Sequence, residues 1–339
     1  MSALRRKKKH IASHSEISSI HMSVYTLVER HQLEDFLCHY DLGSLVTYQG
    51  INAGIENTNY FVTTTAGKFV LTLFEQHSHE ELPYFLELMA YLADHNIPSA
   101  HPLADKAGHY LRQLNGKPAA LVQRLSGKDV EVPNLVQCHA IGRTLGHLHL
   151  ISPDFPHHRP NGRGPDWWKV TAERVLPLMA ADDAALLEAE LRFQADYENL
   201  DIPRGVIHAD LFRDNALFNG DKLCGIIDFY YACNDVLLYD IAVTINDWCS
   251  LPDGHLDNQR VDAIFEGYYE NRTLTRLENE IWPVMLRAAA LRFWLSRLQD
   301  FHFPRPGEIT HIKNPDVFRN ILQGHIEAGM ENEVPCRKI

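Results

Sequence analysis

Three oxygen-bearing side chains stand out for their spacing: Asp210, Asn215 and Asp228. They lie in the strings Gly205-Val-Ile-His208-Ala-Asp210-Leu-Phe-Arg-Asp-Asn215-Ala-Leu-Phe-Asn and Gly225-Ile-Ile-Asp228-Phe229. A carboxylate, then an amide, then a second carboxylate at the end of an apolar run is a set that can carry phosphoryl transfer. One carboxylate accepts the proton of an attacking hydroxyl and aligns it with the phosphorus. The second carboxylate and the amide oxygen hold Mg²⁺, which shields the phosphate charge. Asp210 is therefore the candidate base, and Asn215 and Asp228 are the candidate metal ligands. His208 belongs to the same catalytic loop, where it is expected to support the backbone by hydrogen bonding.

Such a loop needs strands to present it and helices to back it. Apolar spacing over residues 26–40 predicts a short helix, and strand-like runs follow at 45–50, 59–64 and 69–74. Residues 80–96, with Leu82, Phe85, Leu86, Met89 and Leu92, suit an amphipathic helix that Pro98 and Pro102 end. Strands at 109–114 and 118–124 fit around an Asn115-Gly116 turn. Together these predict a five-stranded antiparallel sheet with one helix inserted. Beyond Gly127 the pattern turns helical: 136–150, 167–179, 184–200, 239–249, 258–271, 276–301 and 315–328, with a β-rich insert at 205–229. The expected class is α+β: a small sheet lobe over 22–124 and a larger helical lobe over 125–330, joined near 124–127. Residues 1–21, with a basic run and nothing apolar to anchor them, are expected to be a disordered leader, and 331–339 a tail.

The stretch 50–61 between the first two strands holds Asn52, Gly54, Asn57 and Asn59. Small and Asn residues there let backbone amides approach a phosphate group. The third strand carries Thr72, with Lys68 four residues earlier on the same strand face.

Bulk properties narrow the classes. Of 339 residues, 45% are hydrophobic and 22% charged, as in an ordinary globular chain. A net charge of -12 disfavours general nucleic-acid binding. The six cysteines (Cys38, Cys138, Cys224, Cys233, Cys249, Cys336) form no paired spacing, which suits a reducing, cytoplasmic setting without disulfides. No apolar stretch is long enough for a membrane span. His147 with His149, and His157 with His158, have no ligand spacing, so packing or surface roles are expected.

H-x-D-x-x-x-x-N followed by an apolar pair and Asp-Phe resembles the aminoglycoside phosphotransferase and choline kinase superfamily, a relative of protein kinases. His208-Ala209-Asp210 and Asp228-Phe229-Tyr230 lack the Arg and Gly that protein kinases carry there, which points to a small-molecule acceptor. The resemblance implies a two-lobed, protein-kinase-like fold and ATP as phosphate donor. It implies adenine against the 121–125 hinge with Leu121 and Arg124, and Asp240 as a buried support under the loop. Within that superfamily, Gly54-Ile-Glu-Asn-Thr-Asn-Tyr-Phe-Val62, Phe69-Val-Leu-Thr-Leu-Phe-Glu75, Asn115-Gly-Lys-Pro-Ala-Ala-Leu121 and Leu291-Arg-Phe-Trp-Leu-Ser-Arg297 are similar to the bacterial homoserine kinases of this fold. The superfamily resemblance implies a phosphate-pairing Lys or Arg at the place of Thr72, with a helix glutamate (Glu80, Glu81 or Glu87) as its partner; Thr72 looks usual for the homoserine kinases.

Homoserine as acceptor would need a carboxylate for its ammonium and a cation for its carboxylate. Asp247 with Trp248, and Arg292 or Arg297, are the candidates; the two arginines are five apart and do not share one helix face. Two other readings share the loop chemistry. One is a kinase of choline, ethanolamine, hydroxylysine, methylthioribose or an aminoglycoside. The other is a regulatory pseudokinase, for which Thr72 is the argument.

Overall fold

The computed structural model describes residues 26–51, 57–198, 200–304 and 312–331. The upper lobe is a five-stranded antiparallel sheet built from β1 (Leu45–Ile51), β2 (Asn57–Thr64), β3 (Gly67–Phe74), β4 (Arg112–Leu114) and β5 (Lys117–Gln123). Its spatial order is β1-β2-β3-β5-β4. Successive side chains of a strand alternate between faces. Phe69, Leu71 and Leu73 of β3 thus join Leu33 and Phe36 of α1 (Arg30–Leu37) in one core. Phe74 and Ala120 turn the other way, onto Phe85 and Leu86 of α2 (Leu82–Asp94). Thr72 shares that second face, toward the lower lobe, opposite Asn59 on β2 and Ala120 on β5.

The lower lobe is mainly helical. It comprises α3 (Leu135–Ile151), α4 (Pro165–Val175), α5 (Ala181–Ala195), α6 (Leu237–Trp248), α7 (Asn258–Tyr269), α8 (Arg276–His302) and α9 (Asp316–Glu331). α4 stops four residues before the expected end because Pro177 cannot donate to an α-helical ladder; residues 176–178 form a tighter 3₁₀ turn instead. α3 and α7 approach unusually closely, and a Cβ on Gly142 would meet the Ile264 carbonyl oxygen at 1.9 Å. Among the described residues no helix is long and apolar enough to cross a membrane.

Between the helices run two small antiparallel pairs. β6 (Arg204–Ile207) pairs with β9 (Cys233–Val236), and β7 (Ala216–Asn219) with β8 (Lys222–Ile226). β9 has no counterpart among the sequence expectations. Its Cys-Asn-Asp-Val string lacks apolar alternation, and it is a strand only because β6 offers it a partner. The expected leader, most of the tail, and Asn52 and Gly54 lie outside the described residues.

Candidate active site

The catalytic-loop candidates converge where β6 and β8 end. β6 delivers His208 and Asp210, a 3₁₀ turn delivers Asn215, and Asp228 follows β8. Ala209 and Asp228 both adopt left-handed backbone, with φ 63° and 65°. That conformation costs energy in a non-glycine residue and persists only where surrounding bonds enforce it. Here they do. The buried carboxylate of Asp240 accepts the His208 amide at 2.8 Å and the Ala209 amide at 2.7 Å. His208 Nε2 bonds to the Ile227 carbonyl at 3.0 Å, coupling the loop to the residue before Asp228. Burial lowers the His208 pKa, so the ring is a neutral strut.

Asp240 is itself held from below. His149 Nε2 lies 3.1 Å from its Oδ2, and His149 Nδ1 lies 2.8 Å from the Tyr268 hydroxyl. Arg272 donates to that hydroxyl at 3.0 Å and to Glu278 at 2.6 Å. Burial alone would raise the Asp240 pKa, but the His149 bond and the His208 amide hold it below the ordinary value. The expected supporting role of Asp240 thus has a geometric basis. His149 belongs to the same chain of bonds, which the sequence reading did not foresee. Its signal was available: it sits four residues after Leu145 on the buried stripe of α3. Trp248 is fully buried, and its indole N–H donates to the Leu211 carbonyl at 3.1 Å, a further tie on the loop.

Asp210 is partly exposed at the cleft. Desolvation, with a smaller push from Asp228 and Asp214, raises its pKa to about 8, while Arg292 and Lys313 oppose the rise. Asn215 Nδ2 donates to the Asp210 carbonyl at 2.8 Å and approaches its Oδ2 at 3.3 Å. The amide nitrogen being committed this way, Asn215 Oδ1 is the atom left for a cation. An amide oxygen and the exposed carboxylate of Asp228 are hard oxygen donors, the type Mg²⁺ prefers.

The other candidates are placed less uniformly. Asn59 accepts the Thr72 hydroxyl at 2.7 Å, and Asn57 is buried at the start of β2. Leu121 is fully buried in the upper core, and its carbonyl accepts the Leu103 amide at 2.8 Å. Arg124 lies 3.7 Å over the Phe61 ring. Asp247 accepts the Arg213 amide at 2.8 Å and its Nε at 3.0 Å. Arg297 stacks at 4.5 Å on Phe318 and donates to the Asn314 carbonyl. Arg292 is 3% exposed, and its charge reaches Asp210.

The cation that β3 carries, Lys68, is exposed at the start of the strand, and two of the acids considered as its partner are engaged elsewhere. Glu81 pairs with Arg159 at 2.8 Å, and Glu87 with His157 at 2.6 Å. Both partners come from the lower lobe. Thr72 is also hydrogen-bonded to Tyr230, two residues beyond Asp228.

Residues 47–274 match the model of a family described as phosphotransferase enzymes. The homoserine kinase of Methylobacillus flagellatus is 51% identical over 91% of this chain and 96% of its own length. That of Neisseria meningitidis is 46% identical over 89% and 99%. Among solved structures, an amicoumacin kinase in complex with AMP-PNP and Ca²⁺ superposes with a TM-score of 0.68. It covers 90% of this chain and 94% of its own at 15% identity, a likeness of fold. With its loop geometry, its family match and relatives similar over nearly their whole length, the chain belongs to the phosphotransferase enzyme family, within the homoserine kinases.

Proposed function

We propose that this chain transfers the γ-phosphoryl group of ATP to the side-chain hydroxyl of L-homoserine, giving O-phospho-L-homoserine for threonine synthesis in the cytoplasm. One observation carries the reading. Asp210 and Asn215 share one loop clamped by Asp240, and the His208–Ile227 bond ties that loop to the residue before Asp228, in a chain half identical to a homoserine kinase.

Asp210 orients the acceptor hydroxyl and takes its proton as the oxygen attacks the γ-phosphorus. The bond to the β–γ bridging oxygen breaks and ADP leaves. Mg²⁺, when bound, neutralises charge on the β- and γ-phosphates; Asn215 Oδ1 and the Asp228 carboxylate would hold it. ATP is assigned to the cleft between the lobes, its adenine against the 121–125 hinge near Leu121 and Arg124. Its triphosphate is assigned to the 52–59 turn, with Asn52, Gly54, Asn57 and Asn59. Thr72, Asn59 and Tyr230 form a neutral roof over that region. Asp247 and Arg297 border the acceptor side as structural pairs, and Arg292 is the acceptor-side cation supported by its place beside Asp210.

The test is ADP release with Mg-ATP against L-homoserine, L-serine, L-threonine, choline, ethanolamine, methylthioribose and kanamycin. Preference for L-homoserine, lost in Asp210→Ala, is expected. Preference for another acceptor would discard the substrate while keeping the mechanism. ATP binding without turnover on any acceptor would discard both.

A further inference from the structure

Several partly buried arginines of this protein are matched with acids. Arg272 meets Glu278 at 2.6 Å, Arg287 meets Glu190, and Arg213 meets Asp247 at 3.0 Å. Arg292 departs from that pattern. It is 3% exposed, yet among the described residues it makes no ion pair. Its guanidinium carbon rests 3.7 Å over Phe293 and 5.1 Å from the Tyr231 ring centroid. Burying a guanidinium against aromatic rings with no direct ion pair, only the longer-range field of Asp210, is costly, because the lost hydration is not replaced. Such an arrangement persists where a ligand supplies the missing anion.

A second guanidinium reaches the same tyrosine. Arg163 lies 5.7 Å from the Tyr231 ring and 4.6 Å over Trp167. It too makes no ion pair among the described residues. Arg163 and Tyr231 line a polar cavity of about 350 Å³ between the lobes, together with Gln76, His77 and Tyr230. The segment carrying Arg163 is well anchored. Its amide donates to Asn161 Oδ1 at 2.7 Å, and Asn161 donates to Asp235 on β9 at 2.7 Å. Arg159, on the same segment, exchanges backbone and side-chain bonds with Asn234. Arg163 is thus delivered to the cavity by fixed backbone, while Arg292 is delivered from α8.

We infer that Arg292 and Arg163, meeting at Tyr231, are the receptor for the carboxylate of the acceptor, and that they make the enzyme select amino-acid alcohols over amino alcohols lacking that group. Arg292 is the buried anchor, close enough to Asp210 to bring the acceptor hydroxyl to the base. Arg163 closes on the same anion from the cavity rim. A planar guanidinium binds a carboxylate through paired N–H donors, a contact an uncharged or cationic acceptor cannot reproduce. The inference rests on the reaction proposed above.

Propanolamine provides the test, since it is homoserine without the carboxylate and keeps the hydroxyl, the ammonium and the chain length. Wild-type enzyme is expected to use L-homoserine at least ~10²-fold better than propanolamine in kcat/KM. Arg163→Gln should raise KM for L-homoserine about 10- to 100-fold with kcat little changed, leaving KM for Mg-ATP and turnover of propanolamine within about twofold. Arg292→Gln should lower kcat/KM for L-homoserine further while narrowing the preference between the two acceptors, and Arg292→Lys should recover part of it. Arg163 is partly exposed, so its variant tests the idea even if Arg292→Gln does not fold. Unchanged KM in Arg163→Gln, or equal losses on both acceptors, would overturn the carboxylate receptor and leave the reaction standing. No wild-type turnover of L-homoserine would overturn the reaction itself, and this inference with it.

Discussion

The two lobes hold their cleft-facing polar groups in opposite ways. In the lower lobe a fully buried carboxylate, Asp240, takes two loop amides, and His149, Tyr268, Arg272 and Glu278 continue the chain behind it. In the upper lobe the strand above the cleft offers Thr72, bonded to Asn59 and Tyr230, while Lys68 of the same strand is exposed at its start. Glu81, just before α2, and Glu87 within it reach down to Arg159 and His157 through partly exposed pairs. Buried, fully satisfied networks are rigid, whereas exposed ion pairs contribute little and exchange readily. The lower lobe is therefore built to fix the reacting groups, and the upper lobe to cover them reversibly.

The strongest test of that division is Asp210→Ala. Turnover should fall by ~10²–10⁴, and thermal unfolding should occur no earlier than in the wild type. Losing this carboxylate removes a poorly solvated group rather than a structural bond. A folded variant with near-normal kcat would end the assignment of the base.

Asp240→Asn should damage both stability and rate. Removing one partner of a buried, hydrogen-bonded charge costs about 3–5 kcal/mol, readable from urea denaturation, with kcat lowered through loop geometry. The pH dependence has a definite sign. Because the folded pKa of Asp240 is depressed, its contribution is complete above the unfolded carboxylate value of about 3.9 and is lost as pH falls through the lower folded value. The variant's stability deficit should accordingly shrink in acid. A deficit that is constant down to acid unfolding would contradict the buried-anion picture.

Thr72→Val probes the upper lobe. It deletes the bonds to Asn59 and Tyr230 and leaves their polar atoms short of a partner, at a cost of about 1–3 kcal/mol. Turnover should change less than tenfold. A loss as large as that of Asp210→Ala would mean that the hydroxyl itself handles phosphate.

The smallest effect is expected for Arg159→Gln. Its pair with Glu81 is partly exposed, so stability should move by about 0–1 kcal/mol. A change in KM for Mg-ATP without a change in melting would identify the pair as a brake on lobe opening.

Much of this architecture was readable from local pattern. The strands alternate, the helices repeat their apolar residues, and Asn115-Gly116 makes the turn where expected, so element order and the two-lobed division followed. Boundaries shifted where proline or capping decided them, as at Pro177. β9 escaped notice because its Cys-Asn-Asp-Val string has no strand signature and pairs only with β6. In the site, Asp210, Asn215 and Asp228 could be singled out because phosphoryl transfer needs a carboxylate and an amide at short spacing and a second carboxylate at the end of a nearby strand. His149 and Arg163 were not, since each acts with residues far along the chain: Asp240 and Tyr231.

The sequence by itself determined the chemistry of the loop, the α+β class and a threonine, not a cation, at position 72 of the third strand, because each is a matter of residue type and local periodicity. Only the tertiary structure decided which charges are matched. It joined Asp247 to Arg213 and held Arg297 on Phe318. It left Arg292 buried among aromatic neighbours, with its charge felt at Asp210. Charge pairing depends on distances between segments far apart in the chain, and no spacing along one strand or helix encodes those distances.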